Sequence, residues 1–95
     1  MKVKVHYLGL VKTYTKKTQD DLTLTEGNSL AELLNKLAAD FGKPFNPEIY
    51  EPAKREVKPM FVVMVNGVLA DQLSGLDTML KDGDNIIVMP LMTGG

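Results

Sequence analysis

The sequence contains no cysteine, no tryptophan and only one histidine. Without cysteine the chain cannot form disulfides, thiolate nucleophiles or cysteine-based metal sites. The single histidine, His6, stands on the polar side of an alternating segment, where an exposed residue is more common than a ligand or a general base. The glycine-rich patterns of phosphate loops and dinucleotide-binding folds are missing as well. We therefore expect no metal, no bound cofactor and no enzymatic activity in the chain itself.

Long apolar runs and a large excess of charge are also missing. No stretch approaches the roughly 20 apolar residues that span a bilayer, and the first twelve residues lack the apolar core of a signal peptide. The net charge of −1 at pH 7 gives no case for nucleic acid or an anionic membrane as a partner. Together with the missing cysteine, these observations predict a cytoplasmic protein.

The N-terminal third alternates polar and apolar residues over positions 2–7, which predicts a strand. We expect residues 8–12 to extend this strand and the polar stretch 13–21 to be a long hairpin connection. Residues 22–25 alternate again and predict the returning antiparallel strand. The residues predicted to face the core on the first strand are Val3, Val5 and Tyr7.

A helix is predicted at residues 30–41. Its apolar residues recur at helical spacing and form one stripe, which we expect to cover one face of a sheet. Ser29 and Glu32 have the spacing of a capping box, and Gly42 is predicted to end the helix in a left-handed conformation. The following segment, 43–59, contains four prolines, which predicts a long surface loop with a helical turn near residues 47–54.

The C-terminal third predicts three more strands. Residues 60–65 and 85–89 are continuous apolar runs, and residues 68–70 return briefly after the Asn66-Gly67 hairpin signal. Residues 81–84 form another tight turn. Since both long strands are apolar on both faces, one face of the sheet presents an apolar patch, which indicates a protein partner unless the loop 43–59 folds over it.

The last six residues form the most unusual segment. Pro90 ends the last apolar run, and the sequence finishes with Gly94-Gly95. Glycine has no Cβ and costs much backbone entropy to order, so we predict a domain over residues 1–89 and a flexible tail over 90–95. Such a thin arm can enter a narrow channel, which makes the carboxylate of Gly95 a candidate reactive group.

These elements together resemble the MoaD/ThiS family of ubiquitin-like sulfur carriers, most of all the small subunit of molybdopterin synthase. The resemblance rests on the strand end at residues 65–67, the turn at 80–84 and the proline-to-diglycine tail at 90–95. It implies an α+β β-grasp fold, with a mixed sheet of four to five strands packed on one main helix.

The resemblance also implies a function. A ubiquitin-activating-type enzyme would use ATP to adenylate Gly95, sulfur would replace AMP, and the thiocarboxylate would donate sulfur to a cofactor precursor in the molybdopterin synthase large subunit. Gly94 would give access to the activated end. By the same resemblance, Met64, Ile87 and Met89 would face outward from the sheet. The residues expected to contact these partners are Met64, Ile87, Met89, Leu91, Met92 and Thr93.

Two other functions remain open. Related archaeal modifiers form an isopeptide bond with a lysine, so the chain could be a protein modifier attached through Gly95. Alternatively, it could be a ubiquitin-like binding module whose tail is never activated.

Overall fold

The computed structural model describes residues 1–91 and contains seven strands, three α-helices and three short 3₁₀ turns within that range. The strands, in chain order, are β1 (Lys2–Tyr7), β2 (Gln19–Thr23), β3 (Tyr50–Glu51), β4 (Glu56–Val57), β5 (Phe61–Val65), β6 (Val68–Leu69) and β7 (Asn85–Pro90). The helices are α1 (Leu10–Thr15), α2 (Leu30–Phe41) and α3 (Phe45–Glu48), and the 3₁₀ turns are Pro52–Lys54, Ala70–Gln72 and Gly75–Asp77.

The main sheet has five strands in the order β2-β1-β7-β5-β6. The central pair, β1 and β7, is parallel, whereas the other neighbouring strands are antiparallel. This mixed sheet packs one face against α2, which confirms the predicted α+β architecture.

Helix α2 occupies the predicted residues and begins with the predicted capping box. The Ser29 hydroxyl accepts a hydrogen bond from the backbone N–H of Glu32 at 3.4 Å, and the Ser29 N–H donates to the Glu32 carboxylate at 3.0 Å. The apolar stripe of the helix lies in one core with the inner face of the sheet. Each large side chain buried in this way stabilises the fold by about 1.5–3 kcal/mol. The fully buried members on the helix are Leu30, Leu33, Leu34 and Leu37.

The predicted extension of the first strand through residues 8–12 is wrong, because the chain turns at Gly9 and forms α1. Gly9 has a φ of +57°, a left-handed conformation that interrupts the strand and that glycine adopts without steric cost. Val11 is fully buried in the core, so the apolar residues that suggested a strand belong to a short helix instead.

The second strand begins earlier than predicted, at Gln19 rather than Leu22. Its register with β1 pairs Val5 with Asp20 and Val3 with Leu22. The Tyr7 hydroxyl donates a hydrogen bond to the Asp20 carboxylate at 2.9 Å. Burial, together with this hydrogen bond, raises the pKa of Tyr7. Cross-strand pairing and this contact therefore hold two acidic residues in a strand, although aspartate has a low intrinsic propensity for strands.

The proline-rich segment is more ordered than the predicted surface loop. It contains α3, the β3–β4 pair and the 3₁₀ turn Pro52–Lys54, the last of which lies within the predicted helical turn. Phe45, Ile49 and Tyr50 are fully buried in the main core, and the ring of Phe45 lies 5.7 Å from that of Phe41. The segment therefore completes the core at one end of α2.

The two C-terminal hairpin and turn predictions are confirmed. Asn66 and Gly67 have φ values of +51° and +81°, the positive values that a type I′ hairpin needs. The Asn66 side chain donates to the Asp84 carboxylate at 2.9 Å and accepts from the N–H of Asn85 at 2.9 Å. The hairpin is thereby tied to the start of β7.

Candidate functional site

The face of the sheet opposite α2 carries an apolar surface on its β7-β5-β6 side. We name this surface the outer patch, and its members are Val62, Met64, Leu69, Ile87 and Met89. The strand register pairs Val62 with Met89 and Met64 with both Ile87 and Leu69, so the five side chains are neighbours on one face. Between them along the strands, Val63, Val65, Ile86 and Val88 are buried.

The outward orientation predicted for Met64, Ile87 and Met89 agrees with this alternation, in which all three are half-exposed. Their role in partner binding stays a prediction. Leu69 is not among the contact residues predicted from sequence, although the two-residue turn at Asn66-Gly67 places it opposite Met64.

The proline-rich segment borders the outer patch on one side, where Arg55, Glu56, Val57 and Pro59 line one pocket with Val62 and Leu69, but it does not bury the patch. Its buried residues pack in the core with α2, and the patch residues remain half-exposed or exposed. The patch is therefore accessible to another protein. Methionine suits such a surface because its unbranched side chain adapts to partners of different shape.

The polar side of this sheet face begins at β1. His6 lies beside Ile87 in the strand register, and its Nε2 is 3.4 Å from the side-chain oxygen of Asn85. Lys4 pairs with Asp21 at 3.9 Å. The outer patch thus has a polar border on the side of β1, as is usual for the rim of a protein interface.

The start of the tail is held by three contacts. The N–H of Leu8 donates to the carbonyl of Val88 at 3.1 Å, and the N–H of Leu91 donates to the carbonyl of Met60 at 2.7 Å. Pro90 packs so closely on Gly9 that a Cβ at Gly9 would lie 3.0 Å from Pro90 Cγ.

Strand β7 continues to Pro90, one residue beyond its predicted end. The side chain of Leu91 is 59% exposed, so this predicted contact residue is accessible. The predicted site residues Met92, Thr93, Gly94 and Gly95 lie outside the described residues.

Within residues 1–91, no three His, Asp or Glu side chains are close enough to form a metal site. No helix in this range is long and apolar enough to cross a membrane. The side chains with a shifted pKa, Tyr7, Tyr50, Glu51 and Lys58, are explained by burial or by ion pairing. The chemical candidate that the sequence offers is therefore still the tail.

Three solved structures of other proteins illustrate what this chain is similar to. SAMP1, a small archaeal modifier protein of Haloferax volcanii, has a TM-score of 0.82 at 14% identity, over 100% of both chains. Urm1 of Trypanosoma brucei has a TM-score of 0.81 at 23% identity, over 99% of this chain and 95% of Urm1. A candidate molybdopterin converting factor subunit 1 of Pyrococcus furiosus has a TM-score of 0.77 at 25% identity, over 97% of this chain and 99% of that one.

These likenesses confirm the β-grasp, ubiquitin-like fold. Among curated protein sequences no match is found. The model of the ThiS family, however, matches residues 5–95, which is nearly the whole chain. The chain therefore belongs to the ThiS family.

Proposed function

We propose that this chain carries sulfur as a thiocarboxylate on Gly95 and donates it in the biosynthesis of molybdopterin, the organic part of the molybdenum or tungsten cofactor. The observation that carries the proposal is the likeness to the Pyrococcus furiosus converting factor subunit, which combines 25% identity with nearly complete coverage of both chains. It is part of this proposal that the mature protein ends at Gly95.

The chemistry requires an activating enzyme, because an α-carboxyl with a pKa of about 3.3–3.7 is ionised at pH 7 and is a poor electrophile. The carboxylate of Gly95 would attack the α-phosphorus of ATP in a ubiquitin-activating-type enzyme, releasing pyrophosphate and forming an acyl-adenylate. A sulfide-level sulfur nucleophile, supplied by a partner, would then attack the acyl carbon and displace AMP, leaving the thiocarboxylate. ATP is used by the partner, and this chain binds no cofactor of its own.

The body of the domain would supply the binding surface for both partners, the activating enzyme and the molybdopterin synthase large subunit. The outer patch supports this division of roles, since its five apolar side chains are accessible and lie on β7, which leads to the tail, and on the neighbouring strands β5 and β6. Four residues follow Leu91, and an extended chain of that length spans at most about 13–14 Å. Gly95 would therefore act close to the point where the body docks.

The test is complementation of a bacterial strain that lacks the small subunit of its molybdopterin synthase. Because the partners of the host differ, the chain is supplied with the activating enzyme and the synthase large subunit of its own genome. We expect the full chain to restore molybdoenzyme activity and a variant that lacks Gly95 to restore none. Equal activity with and without Gly95, or no activity with either, would contradict the proposal.

A second candidate function is protein modification through Gly95, which the likeness to the Haloferax volcanii modifier favours. It predicts higher-mass species that carry the chain, survive boiling in denaturant and reductant, and disappear when Gly95 is deleted. The two functions use the same adenylate, so detection of one does not exclude the other. A third possibility, a binding module that is never activated, predicts no effect of the Gly95 deletion in either assay.

A further inference from the structure

A groove of about 780 Å³ lies beside the start of the tail and shares no lining residue with the outer patch. Its walls come from α1, from the α3–β3 segment and from residues at the start of β5 and just before it, and Pro90 contributes to one side. The volume falls within the range of about 300–1,000 Å³ that is typical of binding pockets. We name it the tail-root groove.

Most of the groove wall is apolar. Leu10 and Met60 are 44% and 74% exposed, and Tyr14, Phe61 and Pro90 line the groove with them. Exposed large apolar side chains cost free energy unless another surface covers them. The groove is thus suited to an apolar side chain.

The groove wall carries more negative than positive charge. Its charged lining residues are Glu48, Glu51 and Lys58. The Lys58 ammonium is already paired, since it lies 2.8 Å from the carboxylate of Glu51 and 2.9 Å from that of Glu56. Glu48 is exposed and forms no ion pair with any residue from 1 to 91. One carboxylate on the groove wall is therefore available to a cation.

We propose that the tail-root groove binds a segment of a partner protein in which an apolar side chain stands next to an arginine or a lysine. The apolar side chain fills the space beside Leu10 and Met60, and the cation pairs with Glu48. Since Pro90 forms part of the wall, the bound segment lies next to the origin of the tail. This interaction goes beyond the proposed function, because it does not require Gly95 to be activated.

The test is an NMR titration of the full ¹⁵N-labelled chain with the dipeptide N-acetyl-Leu-Arg-amide. The uncharged N-acetyl-Leu-Gln-amide serves as the matched probe. We expect shift changes at the backbone amides of Leu10, Glu48 and Met60, with the arginine peptide binding about two- to fivefold more tightly, as an exposed ion pair allows. Shift changes that avoid the groove, or equal affinities for the two peptides, would overturn the proposal.

Two variants locate the charge effect. Glu48→Gln should remove the preference for the arginine peptide, whereas Asp71→Asn should leave it unchanged, since Asp71 is an exposed carboxylate that does not line this groove. Both substitutions are at exposed positions without ion pairs in residues 1–91, so the spectra should retain their dispersion. A preference that survives Glu48→Gln would also overturn the assignment of the cation to Glu48.

Discussion

Gly9 and Pro90 are packed so closely that a side chain at Gly9 would force Pro90 to shift. A Cβ at Gly9 would lie 3.0 Å from Pro90 Cγ and 3.1 Å from its Cδ, and Gly9 also has a positive φ. The contact joins the turn before α1 to the end of β7, the last strand before the tail. A glycine early in the chain thus contacts the residue at which the tail begins.

Gly9→Ala should destabilise the fold by about 1–3 kcal/mol, the usual cost of a strained backbone position with a steric conflict. The measurement is urea unfolding followed by circular dichroism. Gly27→Ala is the matched control, because Gly27 also has a positive φ but no atom within 4 Å of its added Cβ. Equal losses for the two variants would show that the contact with Pro90 adds nothing.

Met89→Asp should weaken binding to the activating enzyme or to the synthase large subunit by about 1–2 kcal/mol, the usual loss at an important interface residue. The fold should remain, because Met89 is half-exposed on the outer patch. Binding is measured by calorimetry and folding by thermal melting. If Met89→Asp unfolds the protein, or binds both partners as the wild type does, the outer patch is assigned incorrectly.

Val88→Asp is the matched control for the strand orientation. Val88 is fully buried, and a buried carboxylate without a partner costs several kcal/mol. This neighbouring substitution should therefore prevent stable folding. A folded Val88→Asp protein with a normal melting temperature would contradict the alternation seen along β7.

Phe45→Ala should cost about 3–5 kcal/mol of unfolding free energy, because it empties a fully buried site in the core. Lys54→Ala, in the same proline-rich segment, should cost at most about 1 kcal/mol, since its ion pair with Glu51 is 3.9 Å long and largely exposed. Denaturant unfolding of both variants measures the difference. A small loss for Phe45→Ala would mean that the segment is a surface loop after all.

Tyr7 should make the stability of the fold fall above about pH 10, the ordinary pKa of tyrosine. Burial and the hydrogen bond to Asp20 raise the pKa of Tyr7 in the folded state, so the folded state binds a proton that the unfolded state releases. This contribution is complete below the unfolded pKa and is lost as the pH rises toward the folded value. Tyr7→Phe should make the decline between pH 9 and 11, measured by urea unfolding, less steep; an unchanged slope would exclude this role.

The elements that could be predicted from sequence are those in which local pattern and burial agree. Helix α2 has a capping box, an apolar stripe and a glycine stop, and strands β5 and β7 are apolar throughout. The predictions that were wrong concern elements whose residues contact parts of the chain that are distant in sequence. Gly9, just before α1, packs on Pro90 near the other end of the chain, and Asp20, near the start of β2, accepts a hydrogen bond from Tyr7.

One part of the candidate site could be predicted before the structure was known, and another part could not. The strand phase that turns Met64, Ile87 and Met89 outward was implied by the family resemblance and not by the residue pattern, because β5 and β7 are apolar on both faces. The tail-root groove could not be predicted, because its walls come from three segments that are far apart in sequence. The proline-rich segment was predicted to be a surface loop, and its regular structure was not predicted. Phe45, Ile49 and Tyr50 become core residues only through packing against α2 and the sheet.

The central claim is that the carboxylate of Gly95 is converted to a thiocarboxylate, and intact mass spectrometry tests it most directly. The full chain is expressed with the activating enzyme of its own genome and is purified without reducing or acidic treatment. The account predicts a mass increase equal to the difference between one sulfur and one oxygen atom, located in the C-terminal peptide and absent when Gly95 is deleted. An unchanged mass, or an increase that persists without Gly95, would contradict it.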